Sequence, residues 1–494
     1  MERLGCISAA EPAVALLPVV GDEEIGQQFI NQTMKSSVKG ANGNEQEEAK
    51  GAGKVEAGLD DDDNIRWDEA RRKRNMDKGW AWAVLFGAFV IHAVVFGIAM
   101  GMGIFYSEFL DEFHRGPVAT SWLIATHCAL GTLSGPIGSI LANRLGFRPV
   151  TAAGALIASL GFVLSYFATE FWMLFLCFGA ISGLGLGITY APSFGILALY
   201  FDKRKTAATA ACSIGIGVGM LLIPPLERLM ISSLTWRGAT LILAGITLNM
   251  VPCSLLFTEH EQAKPKAAPS FSQSADVSLF KKMSFYVVLA NFFLMGAFQI
   301  FMIIGIRFAM DEHGVSKDNA PLLISVQGIF SICGRLSAVV IGLNRWTSGL
   351  ATRYTLFHVG TFLAAVFIGV FPVMPTFLGL CALSGGVGFF LGLRYALLPS
   401  IMIEIFTPKR FSTSWSYGMA MMGVGSLLMP PLSEWTAQLA GSSRGPFYIC
   451  TGSMLIACFG GLILQYCLQT LKRNPEIFAL SSSSLKNSVK SQLL

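Results

Sequence analysis

Full charges are scarce in the apolar stretches of this chain, and those that occur there are the first candidates for chemistry. Arg335 stands near the middle of LLISVQGIFSICGRLSAVVIGL, residues 322–343, and Arg394 within FFLGLRYALLPSIMIEIF. A guanidinium offers a planar fork of N–H donors that holds a carboxylate through two parallel hydrogen bonds, so Arg335 suits an organic anion or zwitterion. Its alternative is a structural tie to Gln327 or to helix-end carbonyls. Arg394 divides the same way, between contact with a more negatively charged substrate and pairing with Glu404 or reaching an interface. His92, in GAFVIHAVVFGIAMGMGIF, is the side chain best suited to carry a proton, because imidazole titrates nearest neutral pH. His127 and His358 are weaker candidates, and a packing role competes for all three. Asn249, Asn291, Gln299 and Gln327 either line a polar path or bond neighbouring helices.

These residues need elements to position them, and composition says which kind. Of 494 residues, 53% are apolar and 14% charged, against roughly 25% charged in an ordinary soluble chain. A helix needs about 20 mostly apolar residues to cross a bilayer core, and twelve such runs occur: 82–106, 119–142, 149–168, 171–199, 206–230, 238–257, 284–308, 319–343, 354–373, 376–405, 412–436 and 446–470. The chain is therefore expected to be an all-α membrane protein. At membrane depth a charge costs about 2.5–3.5 kcal/mol on insertion scales, so Arg335 must face protein or a water-filled cavity.

Lys and Arg gather in short cytoplasmic loops. With the N-terminus inside, Arg144, Arg148, Lys203, Arg204, Lys205, Lys264, Lys266, Lys281, Lys282, Arg345, Arg353, Lys409 and Arg410 fall inside, against Arg115, Arg228, Arg237, Lys317 and Arg444 outside. Arg307 lies near an outer helix end, and both termini are expected in the cytoplasm. The first seventy residues lack a signal-peptide pattern, and the basic cluster Arg71–Arg74 reads as a topology anchor or a contact for anionic lipid. A net charge of +5 reflects these loops rather than a nucleic-acid surface, and ten cysteines lack metal or disulfide spacing. No P-loop and no ordered set of nucleophile, base and acid can be assembled, so neither an enzyme, a resident metal nor a cofactor is expected.

The chain also repeats itself. GVGMLLIPPL at 217–226 returns as GVGSLLMPPL at 423–432, and AISGLGLG, YFDKRK and TWRG return as ALSGGVGFF, IFTPKR and SSRG at nearly the same offset. The duplication predicts two six-helix halves, 80–257 and 284–470, joined by a cytoplasmic linker at 258–283. A disordered tail, 1–79, precedes them and a cytoplasmic tail, 471–494, follows. Two parallel halves are the transporter architecture of the major facilitator type. The repeated proline pairs Pro224–Pro225 and Pro430–Pro431 should bend their helices.

Particular residues carry a family resemblance. DKGWAW, Asp77–Trp82, resembles the opening signature of the monocarboxylate transporter family, with Lys78 and Ala81 in place of glycines. YFDKRKTAATA, Tyr200–Ala210, resembles the segment leading into that family's fifth helix, with Ala207 and Ala210 replacing its leucine and glycine. GSILANRLGFRPV resembles the major facilitator loop motif between helices two and three, with Asn143 where Asp is usual and Arg144, Gly146 and Arg148 matching. The resemblance covers about residues 77–470 and implies a divergent member of the family.

In the proton-linked lactate and pyruvate carriers, the resemblance implies a site made by an arginine in helix eight, an aspartate four residues before it, and a lysine in helix one. Arg335 matches the arginine, Ser331 stands where the aspartate would be and Met100 where the lysine would be. Anion recognition is thus retained while the acid beside it is missing. The superfamily motif implies that Arg144, Arg148, Lys203 and Arg204 gate the cytoplasmic face, the alternative being topology alone. The expected function is a plasma-membrane secondary transporter of small organic anions working by alternating access. Facilitated diffusion is preferred to proton symport through His92, and a non-transporting sensor or partner-binding protein comes third. A single-span accessory glycoprotein is a further partner the resemblance allows.

Overall fold

The computed structural model describes residues 77–201, 205–258, 277–281, 283–343, 350–406 and 408–473. The expected tail before Asp77, most of the linker, the C-terminal tail after Arg473, Arg71–Arg74, Lys203 and Arg204 lie outside the described residues. Nearly all of those described are helical, because in an apolar layer only a backbone that satisfies its own N–H and C=O groups survives.

Helix α1 is Trp80–Phe113, α2 Pro117–Leu145, α3 Phe147–Tyr166 and α4 Phe171–Gly195. One helical run, Lys205–Leu248, is broken by the non-helical backbone of Thr235 (φ 64°), which divides α5 (205–234) from α6 (236–255). Then follow α7 Met283–His313, α8 Leu322–Leu343, α9 Leu350–Val370, α10 Phe377–Phe406, α11 Pro408–Ala440 and α12 Gly445–Arg473. Ten described helices are long and apolar enough to cross a membrane. Ala208–Leu255 counts once there although Thr235 divides it, and α11 is too polar to be counted, which reconciles ten with the twelve expected passes. Both proline pairs lie inside continuous helices.

α2 packs on α11 and α5 on α8, joining the first six helices to the last six along two seams. The α5–α8 crossing needs small residues. A Cβ on Gly217 would sit 2.5 Å from Ile332 Cγ1, and one on Gly328 would sit 2.8 Å from the Gly217 carbonyl oxygen. α1 lies against α5 and also reaches α7. At 34 residues, α1 is longer than one bilayer crossing requires, so its last turns project past the apolar layer. They carry Glu108, Asp111 and Glu112.

Candidate functional site

Arg335 lies in the interior of α8, only 4% exposed. Its Nε donates to Ser331 Oγ, one turn earlier, at 3.4 Å. Among the described residues no carboxylate pairs with it. The Tyr190 hydroxyl from α4 and the Tyr395 hydroxyl from α10 lie within electrostatic range of its guanidinium, and so does His92 from α1. The site therefore draws on both sets of six helices.

Aromatic rings build its wall. Tyr190 meets His92 edge-on at 4.8 Å between centroids and Phe96 at 5.1 Å, while Phe194 tilts over His92 at 5.8 Å. Phe194 also stacks on Trp415 of α11 at 6.3 Å. The arrangement offers one cation and two phenols to a polar head, and ring faces to an apolar body.

The other sequence candidates distribute differently. His92 is fully buried; its Nδ1 lies 2.8 Å from the Ala88 carbonyl oxygen, the geometry of an N–H donated to that oxygen, and 3.2 Å from Cys212 Sγ of α5. Its Nε2 has no hydrogen-bond partner. Met100, two turns further along α1, belongs to the apolar core and brings no charge. His127 is a packing residue, with Nδ1 at 2.9 Å from both the Phe178 carbonyl and Ser182 Oγ and its ring stacked on Phe178.

Arg394 does not join Arg335. It turns into the space between α7, α9, α10 and α12, where Nη2 donates to Asn291 Oδ1 at 3.2 Å and the guanidinium carbon lies 4.6 Å from the Phe357 ring centroid. The next residue, Tyr395, lies within electrostatic range of Arg335 and also has its ring centroid 5.4 Å from the Arg394 guanidinium carbon. Arg144 and Arg148 are exposed on either side of Gly146 (φ 106°), and among the described residues neither forms an ion pair.

A second polar assembly, which the sequence did not disclose, ties the helix ends remote from Asp77. Arg228 of α5 bonds Glu108 of α1 at 2.9 Å and Asp318 before α8 at 3.1 Å. Arg307 of α7 bonds Asp111 of α1 at 2.9 Å and Asp311 at 2.6 Å, and Lys317 reaches Asp111 at 3.0 Å. Tyr106 of α1 donates to Glu434 of α11 at 3.1 Å. The acidic spacing in SEFLDEF was visible in the sequence, but its partners lie up to 206 residues away. Glu227 of α5 also escaped notice: it is fully buried, both carboxyl oxygens lack partners, and it packs against Gly101 of α1.

Two seams joining six helices to six, with an unpaired arginine facing across them, are the geometry expected of a rocking carrier. Residues 84–382 match the model of the Major Facilitator Superfamily. The chain belongs to that superfamily. Within the Major Facilitator Superfamily it is similar to mouse (Mus musculus) "Monocarboxylate transporter 11", 28% identical over 391 residues, covering 78% of this chain and 87% of that one. It is likewise 28% identical to "Monocarboxylate transporter 12-B" of Danio rerio, covering 81% and 90%, and 28% identical to "Monocarboxylate transporter 13" of Rattus norvegicus, covering 78% and 89%. At these identities it is a divergent relative of them, and this facilitator is a multi-pass membrane protein.

Proposed function

We propose that this facilitator carries small organic anions, monocarboxylates or related carboxylate-bearing solutes, across the plasma membrane by alternating access. The observation that carries the reading is Arg335: a buried guanidinium without a carboxylate partner among the described residues, within electrostatic range of the Tyr190 and Tyr395 hydroxyls and of His92, whose ring Tyr190 and Phe194 enclose. A substrate carboxylate supplies the counter-charge that the protein withholds, and the aromatic wall takes its carbon skeleton. The names of the relatives agree with this substrate class.

Transport is read as facilitative. Ser331 and Met100 provide no acid beside Arg335, and the ring of His92 is held to Ala88 within an aromatic cage. With both termini in the cytoplasm, the Glu108–Arg228 and Asp111–Arg307 pairs lie on the extracellular side. They hold that side shut and part when the carrier opens outward. Arg144, Arg148, Lys203 and Arg204 act on the opposite face.

The test is uptake of a panel of labelled carboxylates into vesicles bearing the chain, at two external pH values with equal substrate. Saturable uptake that keeps its rate when the inward proton gradient is removed fits the reading. Uptake that vanishes with the gradient replaces facilitation by symport, and no uptake of any carboxylate rejects transport of this class.

A further inference from the structure

Over Phe175–Ile181, α4 is wound as a π-helix, in which N–H groups reach back five residues instead of four. The Ser182 N–H accordingly bonds the Cys177 carbonyl, and the Phe178 carbonyl oxygen, its partner in an ordinary α-helix, is left to side chains. Two side chains take it. Ser182 Oγ donates to it, and His127 of α2 places Nδ1 2.9 Å from it and 2.9 Å from Ser182 Oγ. His127 is 1% exposed, its ring stacks on Phe178 at 5.3 Å, and its Nε2 has no partner, so the polar role of this histidine rests on Nδ1.

A carbonyl oxygen without a donor is costly at membrane depth. The bond from His127 offsets that cost in the π register alone, because in an α register the Ser182 N–H would fill the place. Neighbouring helices pin the turn closely. A Cβ on Gly183 would lie 2.5 Å from the His127 carbonyl oxygen, and one on Gly161 of α3 would lie 2.5 Å from the Ser182 nitrogen.

Register here decides the aim of the rest of the helix, since one extra residue in a turn rotates all that follows by about 100°. Tyr190 and Phe194 follow. Tyr190 meets His92 and Phe96 of α1 at 4.8 and 5.1 Å, and Phe194 meets His92 at 5.8 Å and Trp415 of α11 at 6.3 Å, contacts that such a rotation would break. We propose that His127 is a positioning residue, whose bond to the Phe178 carbonyl holds α4 in the π register and so aims Tyr190 and Phe194 at the wall of the Arg335 site. The aim is a matter of structure, while its effect on uptake rests on the function proposed above.

Cross-linking reads the register. Phe194→Cys and Trp415→Cys are introduced into the full chain with a protease site in the linker 258–283, and a short bifunctional methanethiosulfonate is added. After cleavage, the two sets of six helices stay joined on a denaturing gel only where the cross-link has formed, and each single-cysteine variant gives the background from native cysteines. His127→Asn keeps an N–H donor near the place of Nδ1 and is expected to match the yield of the chain with His127. His127→Phe keeps a ring, loses the donor and is expected to lose most of the cross-link. H127F at full yield, or H127N as deficient as H127F, overturns the proposal; if H127F does not fold, His127→Leu is read in its place. In the otherwise native chain, H127F is expected to raise the KM for carboxylate uptake severalfold with less change in kcat, and H127N to restore it. An H127F that loses the cross-link yet keeps the native KM overturns the role in the site, whereas a native chain that takes up no carboxylate rejects the transport reading and leaves the cross-link result standing.

Discussion

At the scale of single residues, the pair Ser331 and Arg335 determines what the site can do. Ser331 accepts a long 3.4 Å hydrogen bond and leaves the guanidinium its full charge. Ser331→Asp sets a carboxylate beside the fork, where it competes with the substrate. Carboxylate uptake is therefore expected to fall severalfold at neutral pH and to recover as external pH falls and the new acid takes a proton, whereas wild type stays flat over the same range. Initial rates between pH 5.5 and 8 check this, and an S331D profile parallel to wild type counts against it. Arg335 was legible in the sequence because an intramembrane charge is expensive and needs a reason. Tyr190 and Tyr395 were not, since an aromatic residue in an apolar helix breaks no pattern. For Arg394 the sequence left substrate contact, pairing with Glu404 and an interface open, and the structure sets it against Asn291 and Phe357.

Among elements, α1 and α5 press together where Gly101 meets Glu227. A Cβ on Gly101 would lie 1.6 Å from Glu227 Oε2, so the glycine is required while the glutamate is there. Gly101→Ala is expected to destabilise the protein by about 1–3 kcal/mol through overpacking, read as a lower thermal midpoint in detergent. Glu227→Ala in the same chain is expected to restore most of the loss, because it vacates the space and removes a buried carboxyl group without a partner. An additive double variant would show that the two positions do not touch. The passes themselves were readable from apolar length, with the first expected at 82–106 and found at Trp80–Phe113. Hydropathy says little about where polar turns project, and so it missed the extra length that carries Glu108, Asp111 and Glu112. The α5–α6 division was readable, since the break at Thr235 (φ 64°) falls between the expected spans 206–230 and 238–257.

For the whole molecule, the ion pairs linking α1 to α7 and to the segment before α8 bias which face is closed. Exposed pairs contribute only about 0.2–1 kcal/mol each, a suitable strength for a latch that must open. Spin labels at Arg115→Cys and Ser316→Cys, both exposed near these pairs, are expected to report a longer mean distance when Asp111→Asn and Lys317→Gln are added, and also at high salt, which screens the pairs. An unchanged distance distribution would assign the cluster to static stability. The internal repeat made the two-half plan visible in the sequence, whereas the latch joins residues up to 206 positions apart and follows no local pattern. The central claim, that Arg335 is the group that selects the anion, is tested most directly by reconstituted uptake of labelled carboxylates by wild type, R335K and R335Q at matched protein in the membrane and equal pH on both sides. Saturable uptake by wild type and its near-complete loss in both variants are expected, lysine included because it lacks the two-pronged fork; uptake by R335Q at the wild-type rate would contradict that role for Arg335.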